Sequence, residues 1–191
     1  MILFQFLASF FLSLIFIYFS RPILKKLFPS EPTNRGMHSY TKPSSGGILF
    51  VTVYLALIIY QGFLLPLISL PISIVGTLDD KFNISSLFKF IFQILTVLII
   101  ILFSNENENS FLNLIISQSL FFIIILTIFG ASVINFVNFM DGIDGLVCGS
   151  MIIILISINS TFHYLYPAIG ALSGFLIFNW QPSKIFMGDS G

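Results

Sequence analysis

The chain has 191 residues, 57% of them hydrophobic and only 8% charged, with 24 phenylalanines and a mean hydropathy of +1.02. A soluble domain carries about 25% charged residues, so the composition excludes one and points to an integral membrane protein. Eight Lys and Arg balance eight Asp and Glu, which leaves no basic footprint for nucleic acid, and a lone cysteine, Cys148, excludes an internal disulfide.

The first apolar run, residues 2–20, has no basic residue before it and no small-residue cleavage site, so it reads as a membrane helix and not a cleaved leader. Arg21, Lys25 and Lys26 follow it directly, and positive charge there puts that end in the cytoplasm and the N-terminus outside. Further apolar runs at 47–60, 63–78, 84–103, 111–133, 149–160 and 165–180 raise the total to about seven crossings. The expected fold is therefore all-α: a polytopic membrane helix bundle in one membrane-embedded domain over residues 1–191. Threading assigns 21–46, 79–83, 134–148 and 181–191 to the cytoplasmic side. All eight Lys and Arg then fall in or close to those segments, although only the first loop was used to set the orientation. The two runs between Gly47 and Asp79 allow about 15 residues each, roughly 23 Å of a 30 Å hydrocarbon core, so local thinning or burial among neighbours must absorb the mismatch. On the outer side lie the acidic loop Asn105–Asn109 and His163, which reads as an interfacial anchor beside Tyr164 and Tyr166.

All five aspartates of the chain lie in three short polar segments that this threading places on the cytoplasmic side. A carboxylate at a membrane boundary is costly unless solvated, paired or metal-bound, which makes each a functional candidate. Ahead of them, the first cytoplasmic loop supplies Arg35 and Lys42 as candidates to neutralise phosphate, with His38 reading equally as a plain loop residue. Gly46-Gly47 there is expected to open the next helix with free N–H groups toward an anion. Asp79-Asp80 ends an apolar helix. Neighbouring helical residues point about 100° apart, so one carboxylate faces a metal or nucleophile while the other bonds to Lys or backbone. Lys89, one turn into the following helix after Ser85 and Ser86, is placed to reach a phosphate at the membrane surface. Asn135, Asn138, Asp141 and Asp144 recur every three residues with Gly142 and Gly145 between them. Amide and carboxylate oxygens are hard ligands suited to Mg²⁺, and glycine permits a tight turn and close backbone approach. Asp189, between Gly188 and Ser190-Gly191, completes a candidate site for a cation and a phosphorylated substrate.

These segments resemble, in the right order, the motifs of the bacterial polyprenyl-phosphate N-acetylhexosamine-1-phosphate transferases. Pro32-x-x-Arg35-x-x-His38 with Gly46-Gly47 is similar to the family's first cytoplasmic motif, and Asp79-Asp80 with Ser85-x-x-x-Lys89 to its acidic pair and lysine. Asn135-x-x-Asn138-x-x-Asp141-Gly142-x-Asp144-Gly145-Leu146 resembles its most distinctive signature, and Asn179-x-x-Pro182-x-x-x-Phe186-Met187-Gly188-Asp189-x-Gly191 its late metal motif. The wording of residues 138–145 is most similar to the O-antigen-initiating branch. The resemblance implies attack of undecaprenyl phosphate on a UDP-N-acetylhexosamine, with release of UMP, at the inner membrane of a bacterium with the site facing the cytoplasm. It implies Mg²⁺, with Mn²⁺ as the alternative, on Asp189 helped by Asn138, and Asp79 or Asp80 handling the lipid phosphate as base or orienter. Lys89 would contact phosphate, and Asp141 and Asp144 would shape the nucleotide pocket, with Asn135, Arg35, His38 and Lys42 counted as substrate-binding. A homodimer is compatible with it.

Two departures stand out. Ser44 and Ser45 occupy positions where many members carry Arg and a third Gly. The family also runs to over 300 residues, so these 191 read as the N-terminal part of a longer fold, with an inactive remnant as one competing expectation. An ion-coupled carrier is the other, and it requires carboxylates near the bilayer midplane.

Overall fold

The structure is a computed structural model that describes residues 2–31, 40–103, 120–158 and 165–191. Arg35, His38, His163 and the Asn105–Asn109 loop lie outside the described residues. Among the described residues seven α-helices follow in order: α1 (Ile2–Leu27), α2 (Gly47–Tyr60), α3 (Leu70–Phe82), α4 (Ser86–Phe103), α5 (Leu120–Met140), α6 (Leu146–Ile158) and α7 (Tyr166–Asn179). A 3₁₀ turn, Leu65–Ser69, leads into α3, and a two-residue antiparallel pair joins β1 (Pro29–Ser30) to β2 (Lys42–Pro43), with Pro29 opposite Pro43.

Among the described residues three helices, α1, α4 and α5, are long and apolar enough to cross a bilayer; α2, α6 and α7 are apolar but have only 13 or 14 residues. At 1.5 Å per residue the short ones reach about 20 Å. Helix α1 runs seven residues past its expected end at residue 20, through Pro22, and so carries Arg21, Lys25 and Lys26 on its last turns. The expected run 63–78 divides: the 3₁₀ turn takes its start, and α3 continues through both aspartates to Phe82. Asn83, left-handed at φ 50°, then ends α3 and donates its N–H to the Asp79 carbonyl at 2.9 Å.

The interior is built on α1 and α7. Lipid tails are as apolar as leucine, so membrane helices associate by close packing of small residues and by interhelical hydrogen bonds. Here Ser9 and Ser13 of α1 face Gly170, Ala171 and Gly174 of α7, and a Cβ at Gly170 would collide with the Ser9 hydroxyl and the Phe6 carbonyl. The Ser13 hydroxyl donates to the Ala171 carbonyl at 2.8 Å. Ser9 meets Gly170 and Leu14 meets Gly174, so the two helices run parallel and their C-terminal ends lie together. Phe50, Phe175, Ile17, Leu172 and Cys148 fill the core between α1, α2, α6 and α7. Cys148 is a buried free thiol that packs as a small hydrophobe.

Candidate active site

Residues 185–191 form an extended segment that leaves the end of α7 and threads between the start of α2 and the middle of α3. Gly46 N–H donates to the Phe186 carbonyl at 2.9 Å, Gly47 N–H to Met187 at 2.8 Å, and Ile48 N–H to the Ser190 hydroxyl at 3.2 Å. The anion expected at the Gly46-Gly47 amides is therefore ruled out there: the chain's own late segment takes the first donors of α2. On the other side the Ser73 hydroxyl donates to the Ser190 carbonyl at 2.6 Å. The backbone of Asp189 and Ser190 crosses Gly76 so closely that a Cβ there would overlap the Asp189 carbonyl. Gly188 turns the segment at φ 69°, a conformation that favours glycine, which aims Asp189 toward α3 and α4.

At this crossing the acidic segments meet. Lys89 Nζ donates to Asp79 at 2.7 Å and to Asp189 at 2.8 Å, joining the end of α3, the first turn of α4 and the late segment. Asp80 points elsewhere, as the helical geometry requires, and accepts from the Ser45 hydroxyl at 2.6 Å and the Asp189 N–H at 3.2 Å. Asn138, in the last turn of α5, and Asp141, just past that helix, stand beside Gly188 and Asp189 and line the same cleft.

Electrostatics reports the same convergence. Burial pushes the Asp141 carboxyl up to about 7, and the charges of Asp189 and Asp80 add to it. Burial likewise lifts Asp80 to about 6, against the lowering effect of its Ser45 and Asp189 hydrogen bonds. Burial opposes ionisation of Asp189 too, but Lys89 and the neighbouring Asp79 and Asn138 side chains outweigh it and hold the carboxyl below its ordinary value. Carboxylates that crowd together with one ammonium among them form a region that a further cation would relieve. Among the described residues no three His, Cys, Asp or Glu side chains form a ready metal cage. Mg²⁺ does not demand one: it takes one or two carboxylates and fills its octahedron with water and substrate phosphate. The donor set fits that ion.

Two predicted residues lie apart from this cluster. Lys42 is buried in β2, donates to the Ser183 hydroxyl at 3.0 Å and stands 3.9 Å from Asp144. Asp144 in turn accepts from the Ser183 N–H and hydroxyl at 2.9 and 2.7 Å. Beside them Asn179 accepts from Gly145 N–H at 3.1 Å and donates to the Ile185 carbonyl at 3.0 Å. These bonds tie the 141–145 turn to the late segment, so in this structure Lys42 and Asp144 hold the loops that carry Asp141 and Asp189.

From the acidic cluster a cleft of about 370 Å³ runs along α4 and α5. Lys89, Asn138, Asp141 and Asp189 line one end, and Ile72, Ile100, Val133 and Ile134 line its walls. Sequence reasoning missed three contributors: Ser45, Gly76 and Gln93. Gln93 left a signal, because Lys89, Gln93 and Thr96 fall on one face of an otherwise apolar helix. Its buried amide pairs reciprocally with Asn135, at 2.6 and 3.3 Å, across the α4–α5 contact. Interhelical amide pairs in membranes contribute about 0.6 kcal/mol and at most about 1.7. Gln93→Leu is therefore expected to lower thermal stability in detergent by about that amount, and an unchanged melting temperature would show that the pair holds nothing.

The glycosyl transferase family 4 profile matches residues 62–191. The phospho-N-acetylmuramoyl-pentapeptide-transferase of Dictyoglomus turgidum is 30% identical over 214 aligned residues, covering 100% of this chain and 69% of that protein. The same-named enzyme of Kosmotoga olearia is 28% identical, covering 97% of this chain and 68% of its own length. A probable undecaprenyl-phosphate N-acetylglucosaminyl 1-phosphate transferase of Bacillus subtilis is 28% identical, covering 96% of this chain and 58% of that protein. All five aspartates and Lys89 lie inside the matched span. The chain is a membrane protein of glycosyl transferase family 4, the polyprenyl-phosphate hexosamine-1-phosphate transferases.

Proposed function

We propose that this protein transfers N-acetylhexosamine 1-phosphate from a UDP-sugar to undecaprenyl phosphate and releases UMP, as the first membrane step of a cell-surface polysaccharide. The observation that carries this reading is the cleft. It is cationic and carboxylate-lined at one end and apolar along the rest, the profile of a phosphate on a long hydrocarbon chain. In the proposed reaction a phosphate oxygen of the lipid attacks the β-phosphorus, the bond from that phosphorus to the bridging oxygen breaks, and UMP leaves with that oxygen. A phosphate monoester has its second pKa near 6 and is mostly dianionic at pH 7, so the step needs no obligatory base. Catalysis then rests on position and charge neutralisation.

Lys89, between Asp79 and Asp189, is the group at the mouth of the cleft for the lipid phosphate. Asp189 and Asn138, with Asp141 beside them, would hold Mg²⁺, or Mn²⁺ in its place; the ion supplies charge neutralisation on the diphosphate. Asp80, locked by Ser45 and the Asp189 amide, keeps Asp189 in place and is a positioning residue. Arg21, Lys25 and Lys26 at the end of α1 support a reading in which this end of the bundle faces the cytoplasm, the N-terminus lies outside and the shorter helices also cross.

The test is UMP release from a panel of UDP-N-acetylhexosamines, 6-deoxy sugars included, with undecaprenyl phosphate and Mg²⁺ in detergent. The 191-residue chain is assayed beside any longer product of its reading frame. UMP formed only with lipid acceptor and metal supports the reading; no UMP from any sugar contradicts it. Lys89→Ala is expected to raise the KM for the lipid about tenfold or more, whereas unchanged kinetics would make Lys89 a structural cation only.

The metal also predicts a pH dependence. Asp141 and Asp80 bind a proton more readily in the folded chain than in the unfolded one. The contribution of these two groups to metal-free stability is therefore greatest below about pH 4 and falls as the pH rises to about 7, the value for Asp141. An ion that binds the carboxylates restores it. Thermal unfolding in detergent should show Mg²⁺ stabilising at pH 8 and having little effect at pH 5; an equal effect at both would contradict the ligand assignment.

A further inference from the structure

A second cavity, of about 340 Å³, opens beside the end of α1 and shares no lining residue with the acidic cleft. We propose that it binds the phosphodiester headgroup of an anionic phospholipid.

Four cations line it: Arg21 and Lys25 of α1, Lys42 of β2, and Lys184. Among the described residues the one ion pair at this cavity is Lys42 with Asp144 at 3.9 Å, and no carboxylate lies within 4 Å of Arg21, Lys25 or Lys184. Lys42 is engaged within the fold by Ser183, Asp144 and the Tyr40 and Phe186 rings, so the positive charge that selects an anion is that of Arg21, Lys25 and Lys184. Its level selects a lipid as the source. Arg21 and Lys25 stand on the last turns of α1, after an apolar stretch long enough to cross the hydrocarbon core, so the cavity lies at the membrane surface. One turn toward the bilayer from Arg21, on the same stripe, Tyr18 is 65% exposed and gives the upper acyl chain an amphipathic ring at headgroup depth. A basic pocket at this height, here between the end of α1, β2 and the loop that carries Lys184, is a setting in which anionic headgroups bind, each cation adding to their hold. The consequence reaches the first site without depending on its chemistry. Lys184 is five residues before Asp189, and Lys42 bonds to Ser183, so a bound headgroup pins the late segment at the surface.

Native mass spectrometry of the detergent-purified protein reads this directly, with phosphatidylglycerol, phosphatidylcholine and inorganic phosphate as probes. Lys25→Gln with Lys184→Gln is compared with Lys26→Gln, which removes a neighbouring charge of the same helix end outside the cavity. Preferred retention of phosphatidylglycerol, weakened about tenfold or more in the double variant and unchanged in Lys26→Gln, supports the proposal. Lys184→Gln alone, at an exposed position beyond the helices, should weaken it about threefold and answers the question if the double variant misfolds. Equal retention by wild type and the cavity variants, equal loss in Lys26→Gln, or displacement of the lipid by equimolar inorganic phosphate would overturn it; the last outcome assigns the cavity to a soluble anion.

Discussion

Gly76→Ala is expected to remove nearly all transferase activity while the bundle still inserts and folds. The added methyl cannot be accommodated, because the Asp189 carbonyl and Ser190 amide already occupy its place against α3. Overpacking of this kind costs about 1–3 kcal/mol, which the α1–α7 core, remote from Gly76, can tolerate. What yields is the late segment. If it lifts by about 1 Å, Asp189 loses its Lys89 ion pair and its place in the cleft beside Asp141, and a displacement of that size costs on the order of a hundredfold in rate. The expected pair of results is a kcat/KM down about a hundredfold and a melting temperature lowered by only a few degrees. A fully active Gly76→Ala protein would mean that the segment's position does not matter.

Asp189→Asn separates charge from shape. Asparagine keeps the volume and one acceptor oxygen, so the crossing at Gly76 and the α2 contacts persist. The negative charge that would attract the metal is lost, and the Lys89 ammonium keeps only Asp79 as a charged partner. Loss of one preorganised electrostatic group in a partly dry site is worth about 10²- to 10³-fold in kcat. Mg²⁺-dependent turnover should fall by that factor, and raising Mg²⁺ should recover part of it. Retained turnover at ordinary Mg²⁺ would remove Asp189 from the metal assignment.

Much of the fold was legible because bilayer crossing demands long apolar runs, and these are visible in any order of side chains. Their ends were less so. The first run ended at residue 20, where charge begins, yet α1 continues through Pro22 to Leu27, because helical hydrogen bonding does not stop where hydropathy does. The site was legible as a set of residue types. Asp79 and Asp80 diverge as i and i+1 on a helix must, and Lys89 lies a turn into α4 as its spacing implied. Which group satisfies which was not legible, because it depends on tertiary contacts. Nothing local shows that residues 186–190 return to occupy the amides at Gly46, Gly47 and Ile48. Nor does it show that Lys42 faces Asp144 and Ser183 in a buried niche. Gln93 was readable from the polar stripe of α4; Gly76 was not, because a glycine on an apolar helix looks the same whether or not a strand crosses it.

Mn²⁺ binding by electron paramagnetic resonance, with undecaprenyl phosphate present, tests most directly whether the three acidic segments form one metal and phosphate site. The account predicts one tightly bound Mn²⁺ per chain, displaced by Mg²⁺, lost in Asp189→Asn and weakened in Asp141→Asn. Unaltered Mn²⁺ binding in both variants, or none in the wild-type protein, would contradict it.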